Sequence, residues 1–246
     1  MMKKIFLFAS ALLLLAACNF KTQTYQDKLQ IPLEEGQTDS LFYSISLEYA
    51  TGGMRPKAME KMNETIILQT FDLEEIPCGL EELASGYMMS LIDEYFTENR
   101  SIEQEGAVRT WEDSINGIFR NSYRNWRNYL LSYYSFRGGA HGIQTVSQLV
   151  FDKKTGEQLS ESDLFAPGYE EPVAQLMRAA VQAEMEEESP ELLEFVDMEL
   201  VVPNGNFSVG EGGVQWIFQP YEVGPYALGI VMASVSWEEL KPYLNQ

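Results

Sequence analysis

The chain has few of the residues from which most catalytic sites and cross-links are built. Its 246 residues include two cysteines, Cys18 and Cys78, and a single histidine, His141. If Cys18 carries a lipid, as argued below, neither an intramolecular disulfide nor a cysteine-based zinc site can form. Cys78 follows Pro77 and precedes an apolar segment, which predicts a buried thiol. A single histidine also excludes an H-E-x-x-H metal site, so we expect no metal and no cofactor.

Basic residues are scarce as well, with 17 Lys and Arg against 37 Asp and Glu. Processing after residue 17 would remove Lys3 and Lys4, leaving 15 basic residues and a net charge of −22 (15 − 37). This balance argues against nucleic acid and against anionic membrane surfaces as partners, and it favours cationic ones. The hydrophobic content of 45% is ample for a packed core, in one large domain or two small ones.

A hydrophobic run long enough to span a bilayer is also missing. Met1–Lys4 is positively charged, and the apolar stretch 5–15 is shorter than the roughly 20 residues that a membrane helix needs. The order of charge, apolar run and small residues is typical of a signal peptide. The following Leu15-Ala16-Ala17-Cys18 resembles a bacterial lipobox, which predicts that 1–17 is removed and that Cys18 carries the lipid.

The residues after Cys18 indicate the membrane face on which the domain lies and how it is linked to the lipid. Positions 19–24 are polar and contain no acidic run, which favours the periplasmic face over the cell surface. We therefore interpret 18–39 as the lipidated cysteine followed by a flexible tether. A globular N-terminal half over 40–115 and a C-terminal half over 116–246 are expected to follow.

Periodicity predicts a mixture of strands and helices. Alternation indicates strands, and apolar residues at three-four spacing indicate helices. The run 227–235 is apolar on both faces, which predicts a central strand, and Ser189-Pro190 predicts the start of a further helix. Hairpin turns dominate the strand connections, so we expect an α+β fold: an antiparallel sheet packed by helices, in one compact module of two interlocked halves. The predicted strands are 41–49, 118–126, 129–137, 144–152 and one containing Val214, Trp216 and Phe218, and the main helices are 57–71, 79–99 and 172–188.

Four short motifs occur in order: Gly-Gly-Ala-His-Gly at 138–142, Phe-Asp-Lys-Lys-Thr-Gly at 151–156, Asp-Leu-Phe at 163–165, and Pro-Tyr-Glu-Val-Gly-Pro-Tyr-Ala-Leu-Gly at 220–229. Together they resemble the DUF3298 domain family. The stretch from Tyr43 through Asn63 resembles the DUF4163-type half that accompanies it. The resemblance spans about residues 40–244.

This resemblance implies a binding role at the cell wall. The family pair occurs in the extracytoplasmic part of an anti-sigma factor that binds lysozyme, and ahead of the catalytic domain in a peptidoglycan deacetylase. The present sequence shows neither a transmembrane helix nor a deacetylase domain. The resemblance therefore favours a non-enzymatic envelope lipoprotein that binds a lysozyme-like protein or a peptidoglycan fragment.

His141 carries the alternative, in which the protein is a cell-wall carbohydrate hydrolase or deacetylase. In that case His141 would act as a general base beside a carboxylate. Its Gly-Gly-Ala-His-Gly setting instead indicates a tight turn, in which a histidine hydrogen-bonds to nearby backbone.

Charge segregation marks a second candidate region. From Ser114 through Phe151 there is no Asp or Glu, yet half of the eight arginines fall there, interleaved with aromatic residues. Arginine and aromatic side chains together suit carboxylate-bearing sugars or a protein surface, although a sheet with core aromatics explains the pattern too. Acidic residues at the end of the helix 172–188 form a solvated face or a partner-binding patch: Glu184, Glu186, Glu187 and Glu188. The candidate ligand-binding residues are Arg120, Arg124, Trp126, Arg127, Tyr133, Arg137 and His141.

Overall fold

The computed structural model describes residues 20–100, 102 and 108–245, so the predicted signal peptide and Cys18 lie outside the described part. The described residues form an α+β fold with two sheets, as expected from the sequence. No helix among them is long and apolar enough to cross a membrane. The strands are β1 (Lys21–Pro32), β2 (Ser40–Gly52), β3 (Trp111–Tyr123), β4 (Trp126–Phe136), β5 (Ile143–Asp152), β6 (Phe207–Val209), β7 (Gly213–Phe218) and β8 (Val231–Ser236). The helices are α1 (Pro56–Phe71), α2 (Leu80–Asn99), α3 (Glu161–Leu164), α4 (Glu170–Glu188) and α5 (Trp237–Leu240).

The larger sheet has the strand order β1-β2-β3-β4-β5. All neighbouring pairs are antiparallel except β2 and β3, which run parallel. The parallel pair requires a long crossover, and α1 and α2 provide it. Both helices pack on one face of the sheet, where they bury Met62, Ile66, Leu91 and Tyr95 against the strands.

The smaller sheet has the order β6-β7-β8 and buries one face against α4. Trp216 and Phe218 point into this second core, together with Val173 and Met177 of α4. Capping boxes at Ser160 and Ser236 start α3 and α5.

Side-chain amides join the two sheets by imitating a neighbouring strand. Asn206 donates to Val146 O at 2.8 Å and accepts from Gln148 N at 2.8 Å, which satisfies the free edge of β5. Asn128 of β4 makes the equivalent pair of bonds with Val209 of β6. Because buried backbone groups need partners, these amides fix how the sheets meet.

Several sequence-based expectations are wrong. Within the described part of the expected tether 18–39, the chain is not flexible, because β1 (Lys21–Pro32) pairs along its whole length with β2. The expected boundary between 115 and 116 falls inside the continuous strand β3. The expected helix after Pro190 is only a turn and short 3-10 segments. Cys78 is half-buried rather than buried.

The strand expected at the centre of a sheet also differs. Residues 226–228 form a 3-10 turn, and β8 begins at Val231 and lies at the edge of its sheet. Burial alternates along β8, with Ala233 buried and Met232 exposed. The apolar residues before Val231 belong to the loop and do not extend the strand.

Candidate binding site

His141 stacks on Tyr226, which lies 85 positions further along the chain. Their ring centroids are 3.8 Å apart and the ring planes differ by 15°. His141 Nδ1 lies 3.1 Å from Gly142 O, so this contact requires the tautomer protonated at Nδ1. Tyr226 donates its hydroxyl to the same carbonyl oxygen at 2.7 Å. Two of the sequence motifs, 138–142 and 220–229, therefore meet in space.

Tyr221 extends this stack towards solvent. Its ring centroid lies 5.6 Å from that of Tyr226, and 62% of the residue is exposed. Tyr221 has a φ of +72°, a left-handed conformation that is unusual for a bulky residue. Strained and exposed positions of this kind concentrate at functional surfaces. We call His141, Tyr221 and Tyr226 the aromatic platform.

An acidic segment lies beside the aromatic platform. Asp197 N donates to Val223 O at 2.8 Å, which holds residues 193–200 against the loop 220–229 that carries Tyr221 and Tyr226. Phe195 in this acidic segment is half exposed. Between Arg178 and Lys241 the sequence contains no Lys or Arg. The acidic residues from the end of α4 through this segment are Glu184, Glu186, Glu187, Glu188, Glu191, Glu194, Asp197 and Glu199. The platform therefore lies in a negatively charged surface.

The candidate residues chosen from the sequence do not form one site. Strand β4 has 11 residues and, at about 3.3 Å per residue, separates its ends by about 33 Å. Trp126 and Arg127 lie at one end, near Arg124 in the β3–β4 turn. Arg137 follows the opposite end, on the side of the molecule that carries His141. A single ligand site containing all of them is therefore excluded by the length of the strand.

Tyr133 and Arg137 have structural partners. Tyr133 donates its hydroxyl to Thr70 O at 2.6 Å and so ties β4 to α1. Arg137 pairs with the buried carboxylate of Asp113 at 2.8 Å and lies over the ring of Trp111. Both contacts stabilise the packing of the sheet against the helices, so each of these side chains has a structural role.

Asp113 is the buried carboxylate of the larger core. It accepts hydrogen bonds from Tyr87 at 3.0 Å and from Arg137 at 2.8 Å. Burial raises the pKa of Asp113 above its ordinary value, while the Arg137 charge and the Tyr87 hydroxyl act in the opposite direction. Burial also raises the pKa of Tyr87. The network joins α2, β3 and the end of β4.

Glu161 is the corresponding buried carboxylate of the smaller core. It accepts from Trp216 Nε1 at 2.7 Å, Gly205 N at 3.0 Å and the Tyr169 hydroxyl at 3.1 Å. Burial, reinforced by the Glu161 charge, raises the pKa of Tyr169 to about 12. With its lone pairs occupied by structural donors, Glu161 serves the fold. Within the described residues no group of three His, Cys, Asp or Glu side chains could hold a metal ion.

Sequence reasoning identified His141 but missed Tyr221 and Tyr226 as its neighbours. The only signal for them was their presence in the motif 220–229. Neither periodicity nor composition distinguishes them from the other tyrosines, because the stack depends on contacts between distant segments. The order of the motifs along the sequence indicated the family. The contact between the motifs 138–142 and 220–229 could be seen only in the structure.

Comparison with known protein families identifies a lipid attachment site at the N-terminus. Residues 2–19 match the model of the prokaryotic membrane lipoprotein lipid attachment site. The protein is therefore a lipid-anchored protein of the cell envelope, and the attachment site includes the position of Cys18. This confirms the interpretation of the N-terminus as a membrane anchor.

The family follows from a second match. Residues 162–238 match the model of DUF3298, described as a protein of unknown function, so this segment is a DUF3298 domain. The resemblance drawn from the sequence motifs is confirmed, whereas the DUF4163-type N-terminal half remains a prediction. No functionally curated protein matches the chain.

Two crystal structures have the same fold. A DUF3298 family member from Bacteroides fragilis NCTC 9343 is 22% identical, with a TM-score of 0.80, and the match covers 94% of this chain and 95% of that one. A DUF3298 family protein from Pseudomonas aeruginosa PAO1 is 17% identical, with a TM-score of 0.67, over 93% of this chain and 96% of that one. The likeness covers both sheets, so the larger sheet belongs to the shared fold.

Proposed function

We propose that this lipoprotein is a non-enzymatic binding protein whose aromatic platform and acidic surroundings bind a cationic protein associated with the cell wall. A lysozyme-like protein is the first candidate, in line with the family resemblance, and the periplasmic face is the expected location. The observation that carries the proposal is the stack of His141 on Tyr226, which brings two family motifs into one exposed surface.

The chemistry of this surface suits a protein partner. Exposed aromatic residues supply large contact areas and dominate the binding energy of many interfaces. Negative charge around them speeds the encounter with a cationic partner and selects its orientation. The mature chain carries a net charge of −22 (15 − 37), so long-range attraction and local recognition act together.

The surroundings of His141 support a binding role over a catalytic one. Its Nδ1 is engaged with Gly142 O, and among the described residues no carboxylate hydrogen-bonds to its ring. A general base of the His–carboxylate type requires that contact. Hydrolysis of cell-wall carbohydrate therefore stays the alternative, and its test is turnover that disappears in His141→Ala.

Calorimetric titration of lysozyme into the unacylated mature chain tests the proposal. At about 0.15 M salt, where the Debye length is roughly 8 Å, we expect saturable binding with a defined stoichiometry. Tyr221→Ala should weaken it by about tenfold or more, as expected for an aromatic hot spot. Met89→Ala on α2 is the matched control, because Met89 is 60% exposed and Tyr221 is 62% exposed.

Two outcomes would contradict the proposal. If binding disappeared at this salt concentration, the attraction between the two proteins would be non-specific and electrostatic. Binding that Tyr221→Ala and Met89→Ala weaken equally would remove the aromatic platform from the interface. If peptidoglycan fragments bound and lysozyme did not, the aromatic platform would be a carbohydrate-binding site, in which sugar rings stack on the tyrosine rings.

A further inference from the structure

We propose that the end of the domain next to the lipid anchor is a second interaction surface, which lies on the anionic phospholipid headgroups of the membrane. The surface consists of Lys21, Arg120, Arg124, Arg127, Lys153 and Lys154, which we call the basic end. It is separate from the aromatic platform and does not depend on the ligand proposed there.

Strand register places these residues at one end of the larger sheet. Lys21 pairs with Gly52 at the end of β2, and β2 runs parallel to β3. The β3–β4 turn therefore lies at this end, and Trp126 of that turn pairs with Asp152 at the end of β5. Lys153 follows Asp152 directly, and its Nζ donates to Arg124 O.

The lipid anchor fixes this same end close to the bilayer. Phe20 packs edge-on against Phe119 at 4.9 Å, and the Arg127 guanidinium lies 3.6 Å from the centroid of the Phe20 ring. Only Asn19 separates Phe20 from Cys18. Two residues of extended chain span at most about 7 Å, so the basic end cannot be far from the headgroups.

The positive charges at this end form no direct ion pairs with carboxylates of the described residues, although the charge of Asp152 acts on Lys153. Among the described residues none of the basic-end side chains has a carboxylate within ion-pair distance. Nearby carboxylates are already engaged: Asp152 accepts from Lys154 N and Thr155 N, and Glu48 accepts from Phe119 N. Arg127 Nε is buried without a hydrogen-bond partner.

The charge distribution explains why total charge is misleading here. An overall charge of −22 predicts repulsion from an anionic membrane, but the Debye length of about 8 Å makes only the nearest charges count. Lys21 and Arg127 lie closest to the anchor, because Arg127 contacts Phe20, and the acidic segment beside the aromatic platform lies at the opposite end. Glu238 and Glu239 follow Trp237, which stacks on Tyr123, and they offset part of the positive charge of the basic end. Basic residues beside a lipid anchor supply the second signal that acylated proteins use for stable and oriented attachment.

Vesicle co-sedimentation of the unacylated mature chain, carrying Cys18→Ser, tests this inference. At low ionic strength we expect binding to vesicles that contain phosphatidylglycerol and not to vesicles of phosphatidylcholine alone. Each basic residue near the surface is worth roughly fivefold in affinity. Arg120→Gln, Arg124→Gln and Lys154→Gln combined should therefore weaken binding about 100-fold.

A matched triple variant separates location from net charge. Lys28→Gln, Arg100→Gln and Arg178→Gln remove three positive charges outside the basic end and should leave most of the binding intact. Arg120→Lys with Arg124→Lys keeps the charge and should retain binding, and circular dichroism checks the fold of each variant. The proposal would be overturned if both triple Gln variants lost affinity for the vesicles equally. It would also be overturned if the parent chain bound both kinds of vesicle equally, or bound neither. Lysozyme titration needs no membrane, so either proposal can fail alone.

Discussion

Asn128 and Val209 form a two-bond contact that joins the sheets. Asn128 Nδ2 donates to Val209 O at 2.7 Å, and Asn128 Oδ1 accepts from Val209 N at 3.0 Å. Both residues are buried, although 81 positions separate them. A side chain of β4 thus takes the place of a neighbouring strand for the edge strand β6. This contact holds β6 of the smaller sheet against β4 of the larger one.

Removing this amide should destabilise the whole domain. Asn128→Ala would leave the Val209 N–H and C=O without partners, which should lower the free energy of unfolding by about 3 kcal/mol. Urea unfolding followed by tryptophan fluorescence measures the loss. Asn116→Ala on β3, at an exposed position, should change it by no more than about 0.5 kcal/mol. Similar values for both variants would show that the contact contributes little.

The Asp113 network predicts a specific pH dependence. Because burial raises the pKa of Asp113 in the folded state, folding favours its protonated form. Its contribution to stability is therefore full below the unfolded pKa of about 3.9 and is lost as pH rises through the folded pKa. Asp113→Asn, which cannot ionise, should gain stability relative to the parent chain as pH rises through this window.

Urea unfolding at several pH values from about 3 to 7 measures that difference. Glu112→Gln, at the exposed neighbouring position, controls for the loss of one carboxylate. An Asp113→Asn variant that loses stability relative to the parent with rising pH would mean that the Arg137 ion pair outweighs the burial of Asp113.

Charge at the end of α4 should affect how fast the proposed partner arrives. Reversing Glu186, Glu187 and Glu188 to Lys should slow association with lysozyme by about tenfold or more, because steering depends on charges near the interface. Stopped-flow fluorescence measures the rate, and the effect should shrink as salt is added. Reversal of Glu60, Glu64 and Glu81, on α1 and α2, provides the control. An equal slowing by both triples would indicate attraction by net charge alone.

Local sequence patterns predicted those secondary-structure elements that depend only on residues close together in the sequence. The helices α1, α2 and α4 follow from apolar residues at three-four spacing. Strand β1 was missed because it is a largely exposed edge strand whose polar residues resemble a linker. The parallel pairing of β2 with β3 depends on a crossover of two helices, which no local pattern encodes.

The candidate site shows the same division. The arginine-aromatic segment looked like one site because its residues are close in sequence, but an extended strand carries Arg127 and Arg137 to opposite ends of the sheet. His141 and Tyr226 are far apart in sequence and come together only through the packing of one sheet on the other. Proximity along a strand is therefore a poor guide to proximity in a site.

The central claim is that the aromatic platform binds the partner, and hydrogen exchange in the lysozyme complex tests it most directly. We expect slower exchange of backbone amides in 138–143 and 220–229 on binding, with no change in the β3–β4 turn at 123–126. Protection of that turn, with both platform segments unchanged, would contradict the account.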